Sequence, residues 1–267
     1  MTPPSDVWAI GQAYESYVGR WSRPVAAELL AWLAVAPGAA WLDVGCGTGA
    51  LGESILAYSA PSRVLGLDAS TGFIEHARAN VRDARATFTV GDAQRLELAD
   101  GSFDAVVSAL MLNFLPRPEL AAAEMVRVVR PGGLVAAYVW DYAGNMELMR
   151  RFWDAAVALD PAAAGLDEGR RFPVCQPQRL ASLLDDAGLN EVATRAIDVP
   201  TRFVDFDDYW TPFLGGQGPA PTYVASLDAP SQAALRERLR ATLPAAPDGS
   251  IALVARAWAV RGRAAAR

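Results

Sequence analysis

The chain has 267 residues, a formal net charge of −6 and 52% hydrophobic residues, enough to bury a full α/β core without a second independent domain. Its 24 basic residues are all arginine, which excludes a Walker-type phosphate loop, Schiff-base chemistry and pyridoxal phosphate catalysis, since each needs lysine. One histidine, His76, and two cysteines, Cys46 and Cys175, cannot furnish a His/Cys zinc site or a disulfide framework, and the acidic balance disfavours a nucleic-acid substrate.

The first residues, Met1 to Asp6, lack the basic flank and apolar core of a secretion signal, and no apolar run reaches membrane-spanning length, so a soluble cytoplasmic protein with no membrane partner is expected. Residues 7–17 and 24–35 have helical spacing, joined by Gly19-Arg20-Trp21, with Ser22 at the N-cap position of the second. A short buried strand follows and closes in Trp41-Leu42-Asp43-Val44-Gly45-Cys46-Gly47-Thr48-Gly49-Ala50. Three alternating glycines allow a tight, side-chain-poor turn from strand into helix, so a nucleotide-like cofactor can lie against the backbone. The glycines also satisfy the weaker dinucleotide pattern, in which they admit a pyrophosphate. Asp43 argues against that ligand, because a carboxylate at the strand end repels phosphate and attracts a cation. S-adenosylmethionine carries an ammonium and a sulfonium and no phosphate.

Arg63-Val64-Leu65-Gly66-Leu67-Asp68 is the next strand, ending in an acid 19 residues after Gly49, where a βαβ unit sets a carboxylate against ribose hydroxyls. NAD would use such an acid too. Thr87 to Val90 reads as a third strand before Gly91-Asp92-Ala93, and Ser102 to Ser108 as a fourth. Strands near 41–45, 63–68, 86–90, 103–108 and 133–140 alternate with helices near 49–58, 71–82, 94–97 and 117–130. That alternation means a parallel sheet with helices on both faces, its ligand end at the carboxyl ends of the strands, at the switch point after the first strand. Beyond 140 come an extra helix over 145–159, a Pro/Gly-rich stretch to Phe172-Pro173 and a helix near 177–187. Two long alternating strands over 192–203 and 250–260 follow, with helices over 206–213 and 232–239 between them and a loop at Gly215-Gly216-Gln217-Gly218-Pro219.

Asp43 to Gly49, Asp68, Gly91-Asp92-Ala93, Phe103-Asp104 and Arg130-Pro131-Gly132-Gly133 stand in the order and spacing of the class I S-adenosylmethionine-dependent methyltransferase motifs. Over residues 40–140 the chain resembles that family, in its small-molecule, ubiquinone-biosynthesis-like branch. The resemblance implies a Rossmann-like seven-stranded sheet, mostly parallel with an antiparallel closing strand. It implies one methyltransferase domain over 1–267, with N-terminal lid helices in 1–37, a cofactor-binding core in 38–140, and acceptor-site insertions in 141–190 and 204–249. It also implies that Gly45, Cys46, Gly47 and Gly49 line the methionine portion of S-adenosylmethionine, that Asp43 orients its ammonium, and that Asp68 and the adjoining Ala69 meet the ribose. Asp92 and the Ala93 amide would take the adenine, while Tyr14 and Arg20 of the lid would cover the cofactor, Arg20 pairing with its carboxylate. Asp92 equally suits the N-cap of a helix over 94–97.

Methyl transfer from a sulfonium is an in-line displacement that needs alignment and exclusion of water more than a base. Should the acceptor be a hydroxyl, Asp141 and Tyr142 after the fifth strand are the candidates to take its proton, with Asn113 after the fourth as an orienting group. Asp141 also suits a loop cap. The aromatic residues Trp140, Tyr142, Phe152, Trp153, Phe172, Tyr209, Trp210, Phe213 and Tyr223 suit the wall of an apolar or aromatic small-molecule acceptor, and core packing is their other reading. An NAD-dependent oxidoreductase shares the turn and Asp68 but cannot have a Tyr-x-x-x-Lys pair. A non-catalytic S-adenosylmethionine-binding protein is the third reading.

Overall fold

Apolar runs punctuated by glycine turns form the strands, and the capped amphipathic segments between them form the helices. The computed structural model describes residues 19–215 and 218–266. Along the chain lie α1 (Arg20–Leu33), β1 (Ala40–Val44), α2 (Ala50–Tyr58), β2 (Arg63–Asp68), α3 (Thr71–Asn80), β3 (Ala86–Val90), β4 (Phe103–Ala109), α4 (Pro118–Val128) and β5 (Val129–Trp140). Then come α5 (Glu147–Leu159), α6 (Glu168–Arg171), α7 (Pro177–Asp186), β6 (Asn190–Phe203), α8 (Phe206–Trp210), α9 (Pro219–Ser226), α10 (Ala229–Thr242) and β7 (Ile251–Arg263). Short 3-10 turns occupy Leu112–Phe114, Pro161–Gly165 and Thr211–Gly215.

The seven strands form one sheet in the order β3-β2-β1-β4-β5-β7-β6. β1 pairs in parallel with β2 on one side and β4 on the other, so the strand order reverses at β1, as the alternation of elements requires. β2 with β3 and β4 with β5 are also parallel, and β7 closes antiparallel to β5 from Leu134↔Arg263 to Trp140↔Ala257. The fold is therefore the expected Rossmann-like α/β arrangement with an antiparallel closing strand.

The chain divides into two compact units. One, the sheet unit, holds Ser22–Trp140, Val174–Ile197 and Ala257–Arg267. The other holds the described residues of Met1–Trp21, Asp141–Pro173 and Asp198–Arg256, and is called the aromatic unit after its interior. In the sheet unit, Trp41, Leu42, Val106, Val107 and Val135 are fully buried among Leu29, Ile55, Ile74 and Met125 of the covering helices. In the aromatic unit, Phe152 stacks on Phe213 with ring centroids 4.5 Å apart and meets Trp153 edge-on at 5.1 Å. Tyr209 packs on Phe213 at 5.5 Å and its hydroxyl donates to Leu148 O at 3.0 Å. Tyr142, Phe172, Trp210 and Tyr223 are buried as well. These rings pack against one another and fill an interior, so the expectation that they wall an acceptor pocket is corrected to core packing; Trp140 is buried in β5 of the sheet unit.

Three local expectations change. Residues 94–97 form no helix, because Glu124 and Arg127 of α4 satisfy that backbone instead: Leu96 N donates to Glu124 at 2.6 Å, and Arg127 donates to the carbonyls of Leu96 and Leu98, each at 2.8 Å. Ser22 lies inside α1 rather than capping it, and it is buried. Pro219, read as the end of a loop, opens α9, where a proline at the first helical position loses no hydrogen bond. The helix expected over 7–17 lies outside the described residues. Among the described residues no helix is long and apolar enough to cross a membrane.

Candidate functional site

The turn after β1 is built from backbone that only glycine adopts cheaply. Gly45, Gly47 and Gly49 have φ of 73°, 52° and 93°. A Cβ on Gly45 would lie 2.4 Å from Met111 Cγ, whereas one on Gly47 would meet nothing within 4 Å. The turn is pinned from β2: the N–H groups of Gly45 and Cys46 both donate to Leu67 O, at 2.7 and 3.0 Å. Gly49 then starts α2 as a left-handed cap.

Asp68, at the end of β2, is held in place by this turn and by the next helix. Its Oδ2 accepts from Gly47 N at 3.0 Å and its Oδ1 from Ser70 N at 2.8 Å. Ser70 in turn caps α3 by accepting from Phe73 N at 3.3 Å, a role that a serine just before a helical run could have signalled. Burial raises the Asp68 pKa, opposed by those two N–H groups. One lone pair on each oxygen is still available to a hydroxyl.

Asp43 is the outlier. Its side chain is fully buried, yet neither oxygen makes a hydrogen bond of normal geometry among the described residues. Burial lifts its pKa to about 7, the Asp68 charge adds to the lift, and the Gly52 N–H at the head of α2 opposes it. Such a carboxyl lacks the partner that buried charges ordinarily have, and a cation would supply one. Cys46 is also buried, and burial together with the charges of Asp43 and Asp68 pushes its thiol well above the ordinary value, so it stays a neutral small residue.

Asp92 lies just beyond the Asp68↔Val90 register pair of β2 and β3. Its Oδ1 accepts from Gln94 N at 2.8 Å, an Asx turn in place of the helix cap considered for it. Ala93 beside it is buried and Ala69 is exposed. Asp43, the three glycines, Cys46, Asp68, Ala69, Asp92, Ala93 and Asn113 all belong to the sheet unit. Asn113 sits in the 3-10 turn after β4, buried.

Arg20, Asp141 and Tyr142 belong to the aromatic unit. Arg20 Nη1 pairs with Asp208 Oδ1 at 2.9 Å, its guanidinium lying over the rings of Trp21 at 4.5 Å and Phe203 at 4.8 Å. In this structure a protein carboxylate takes the contact expected for a ligand carboxylate. Asp141 serves as a loop cap, its Oδ2 accepting from Asn145 N at 2.9 Å. Tyr142 packs on Phe172 at 5.7 Å. Tyr14 lies outside the described residues.

A family described as "Methyltransferase domain" matches residues 42–137, the stretch that carries the turn, both acids and β4. The 2-methyl-6-phytyl-1,4-hydroquinone methyltransferase of Synechocystis is 32% identical over 68% of this chain and 57% of its own length. The demethylmenaquinone methyltransferase of Roseiflexus is 30% identical over 58% of this chain and 70% of its own. The chain belongs to the class I S-adenosylmethionine-dependent methyltransferases. It spans little more than half the length of the Synechocystis relative. In fold it is similar to the Haemonchus contortus phosphoethanolamine N-methyltransferase 2 solved with S-adenosyl-L-methionine, at a TM-score of 0.60 and 17% identity, covering 96% of this chain and 57% of that one. S-adenosylmethionine is the cofactor of this family, and the residues present suit it: a buried acid with no hydrogen bond of normal geometry among the described residues for a cation, and open space over Gly47 for a close-lying ligand.

Proposed function

We propose that the chain transfers the methyl group of S-adenosylmethionine to a small, apolar or aromatic organic acceptor of the hydroquinone type. The observation that carries the donor half is Asp43, a fully buried acid whose oxygens make no hydrogen bond of normal geometry among the described residues, set in a turn with no phosphate-binding lysine. The acceptor class draws on the relatives named as hydroquinone and demethylmenaquinone methyltransferases.

In this reading Asp43 attracts the ammonium, the backbone of Gly45, Gly47 and Gly49 lies along the methionine portion, and Asp68 accepts from the ribose hydroxyls. Asp92 and the Ala93 N–H hold the adenine. When bound, S-adenosylmethionine would supply an electrophilic methyl with a sulfide leaving group that keeps the C–S electron pair, the acceptor's proton being released to bulk solvent after transfer. The protein aligns donor with acceptor and keeps competing water away. Incubation with S-adenosylmethionine and a panel of reduced methyl- and prenyl-hydroquinones, followed by mass spectrometry, tests this. Gain of one methyl group by a panel member is expected; donor binding without methylation of any member would remove the acceptor class.

A further inference from the structure

The turn that follows β4 combines a strained residue, a side chain packed on the turn after β1, and a buried amide left unpaired among the described residues. Leu110 has φ of 56°, a left-handed conformation that a branched side chain rarely adopts, and it is held there by donating its N–H to Tyr138 O at 2.8 Å. Met111 is lodged where a Cβ on Gly45 would stand, so this turn is packed directly on the cofactor turn. Two residues on, Asn113 is 93% buried, from a relative exposure of 7%, and its Nδ2 has no hydrogen-bond partner among the described residues. A buried amide donor left unpaired is destabilising.

Resting on the methyltransferase reading above, we propose that Asn113 is the acceptor-binding residue, its Nδ2–H donating to a ring oxygen of the hydroquinone. A neutral donor suits that task. It stabilises negative charge that gathers on the ring oxygen as the ring becomes nucleophilic, and it brings no full positive charge close to the sulfonium of the donor. It also selects for an oxygen-bearing ring, because an acceptor without that oxygen leaves the amide unpaired.

The test compares wild type with Asn113→Leu, which removes the donor at similar volume, and Asn113→Ala as a second variant. Three quantities are read on the full chain: melting temperature, calorimetric affinity for S-adenosylhomocysteine, and affinity of the S-adenosylhomocysteine-loaded protein for 2-methylhydroquinone kept reduced. N113L is expected to melt no lower than wild type, to bind S-adenosylhomocysteine within about twofold, and to lose tenfold or more in hydroquinone affinity. N113A is expected to show the same loss of hydroquinone affinity. Unchanged hydroquinone affinity in both variants overturns the proposal, as does a lowered melting point with unchanged ligand affinities, which would make Asn113 structural. Loss of S-adenosylhomocysteine binding in N113L would move Asn113 to the cofactor and also overturn it. Wild type that binds S-adenosylhomocysteine but not the hydroquinone removes the acceptor class and this proposal together; wild type and both variants binding both ligands alike removes Asn113 alone.

Discussion

The glycine turn of the sheet unit and the rings around Phe152 differ in how their buried polar groups are met, although Trp21 Nε1 and Thr201 Oγ1 elsewhere in the aromatic unit are also unpaired among the described residues. In the aromatic interior the Tyr209 hydroxyl donates to Leu148 O, Trp153 Nε1 donates to Glu168, and Arg150 pairs with Asp167 at 2.8 Å. At the turn, Asp43 and the neighbouring Asn113 amide are buried and left over. A polar group that the protein itself satisfies belongs to the structure, whereas Asp43 and Asn113, which follow or end strands of the parallel sheet, are open to a ligand under the proposed reading; Trp41 Nε1, Trp140 Nε1 and Ser108 Oγ of the same unit are buried and unpaired among the described residues as well. Abundant aromatic residues suggested a binding wall, but they pack on each other.

The largest expected effect on this contrast is structural. Phe152→Ala removes a fully buried ring stacked at 4.5 Å on Phe213, and it should cost about 3–5 kcal/mol in urea unfolding. A cost near zero would show that the aromatic interior is loosely packed and open to a ligand after all.

Glycines of the turn should divide by what surrounds them. Gly45→Ala drives a Cβ to 2.4 Å from Met111 Cγ at a φ of 73°. It should destabilise by about 2–3 kcal/mol through overpacking and left-handed strain. Gly47→Ala meets open space and should cost about 1 kcal/mol from its φ alone. Gly47→Val should leave a folded protein that has lost tight cofactor binding. Equal melting points for the two alanine variants would contradict the crowding at Gly45.

Asp68→Ala should weaken S-adenosylmethionine binding on the order of tenfold to a hundredfold, the worth of a charge-assisted hydrogen bond of roughly 1.5–3 kcal/mol. It should also lower the melting point, because Gly47 N and Ser70 N lose their acceptor. Undiminished affinity, measured by calorimetry, would take Asp68 out of the site.

The smallest effect is on pH. The Asp43 pKa rises from 3.8 in an unstructured chain to about 7, and that of Glu168 from 4.5 to about 8, burial being the main cause in both. A raised acid contributes stability that is fully present below its unfolded value and lost as pH rises through its folded value. The cofactor-free protein should therefore melt lower, by about 5 °C, at alkaline than at mildly acid pH. Asp43→Asn and Glu168→Gln should each flatten part of that slope; a wild-type melting point that climbs with pH would contradict both assignments.

Much of the sheet was legible in the sequence because β1, β2 and β4 are short apolar runs ended by Asp43, Asp68 or a turn, and such runs have few alternatives. The turn itself was legible from Gly45, Gly47 and Gly49, whose chemistry is local. What the sequence hid depends on distant partners. Residues 94–97 lost their helix to Glu124 and Arg127, nearly 30 positions away. Arg20 gained Asp208 across 188 positions. Met111 filling the space above Gly45, and the strained Leu110 before it, leave no periodic trace at all. The fate of the aromatic residues was undecidable from periodicity, since a ring that lines a pocket and a ring that fills a core recur at the same spacing.

Calorimetric titration of the full chain with S-adenosylmethionine, S-adenosylhomocysteine and NAD in parallel reads the donor site without an acceptor. Micromolar binding of the first two is expected, tightening as Asp43 ionises between about pH 6 and about pH 8, with no binding of NAD. Binding of NAD in preference to both sulfur ligands, or equal affinity for S-adenosylmethionine in wild type and Asp43→Asn, would contradict it.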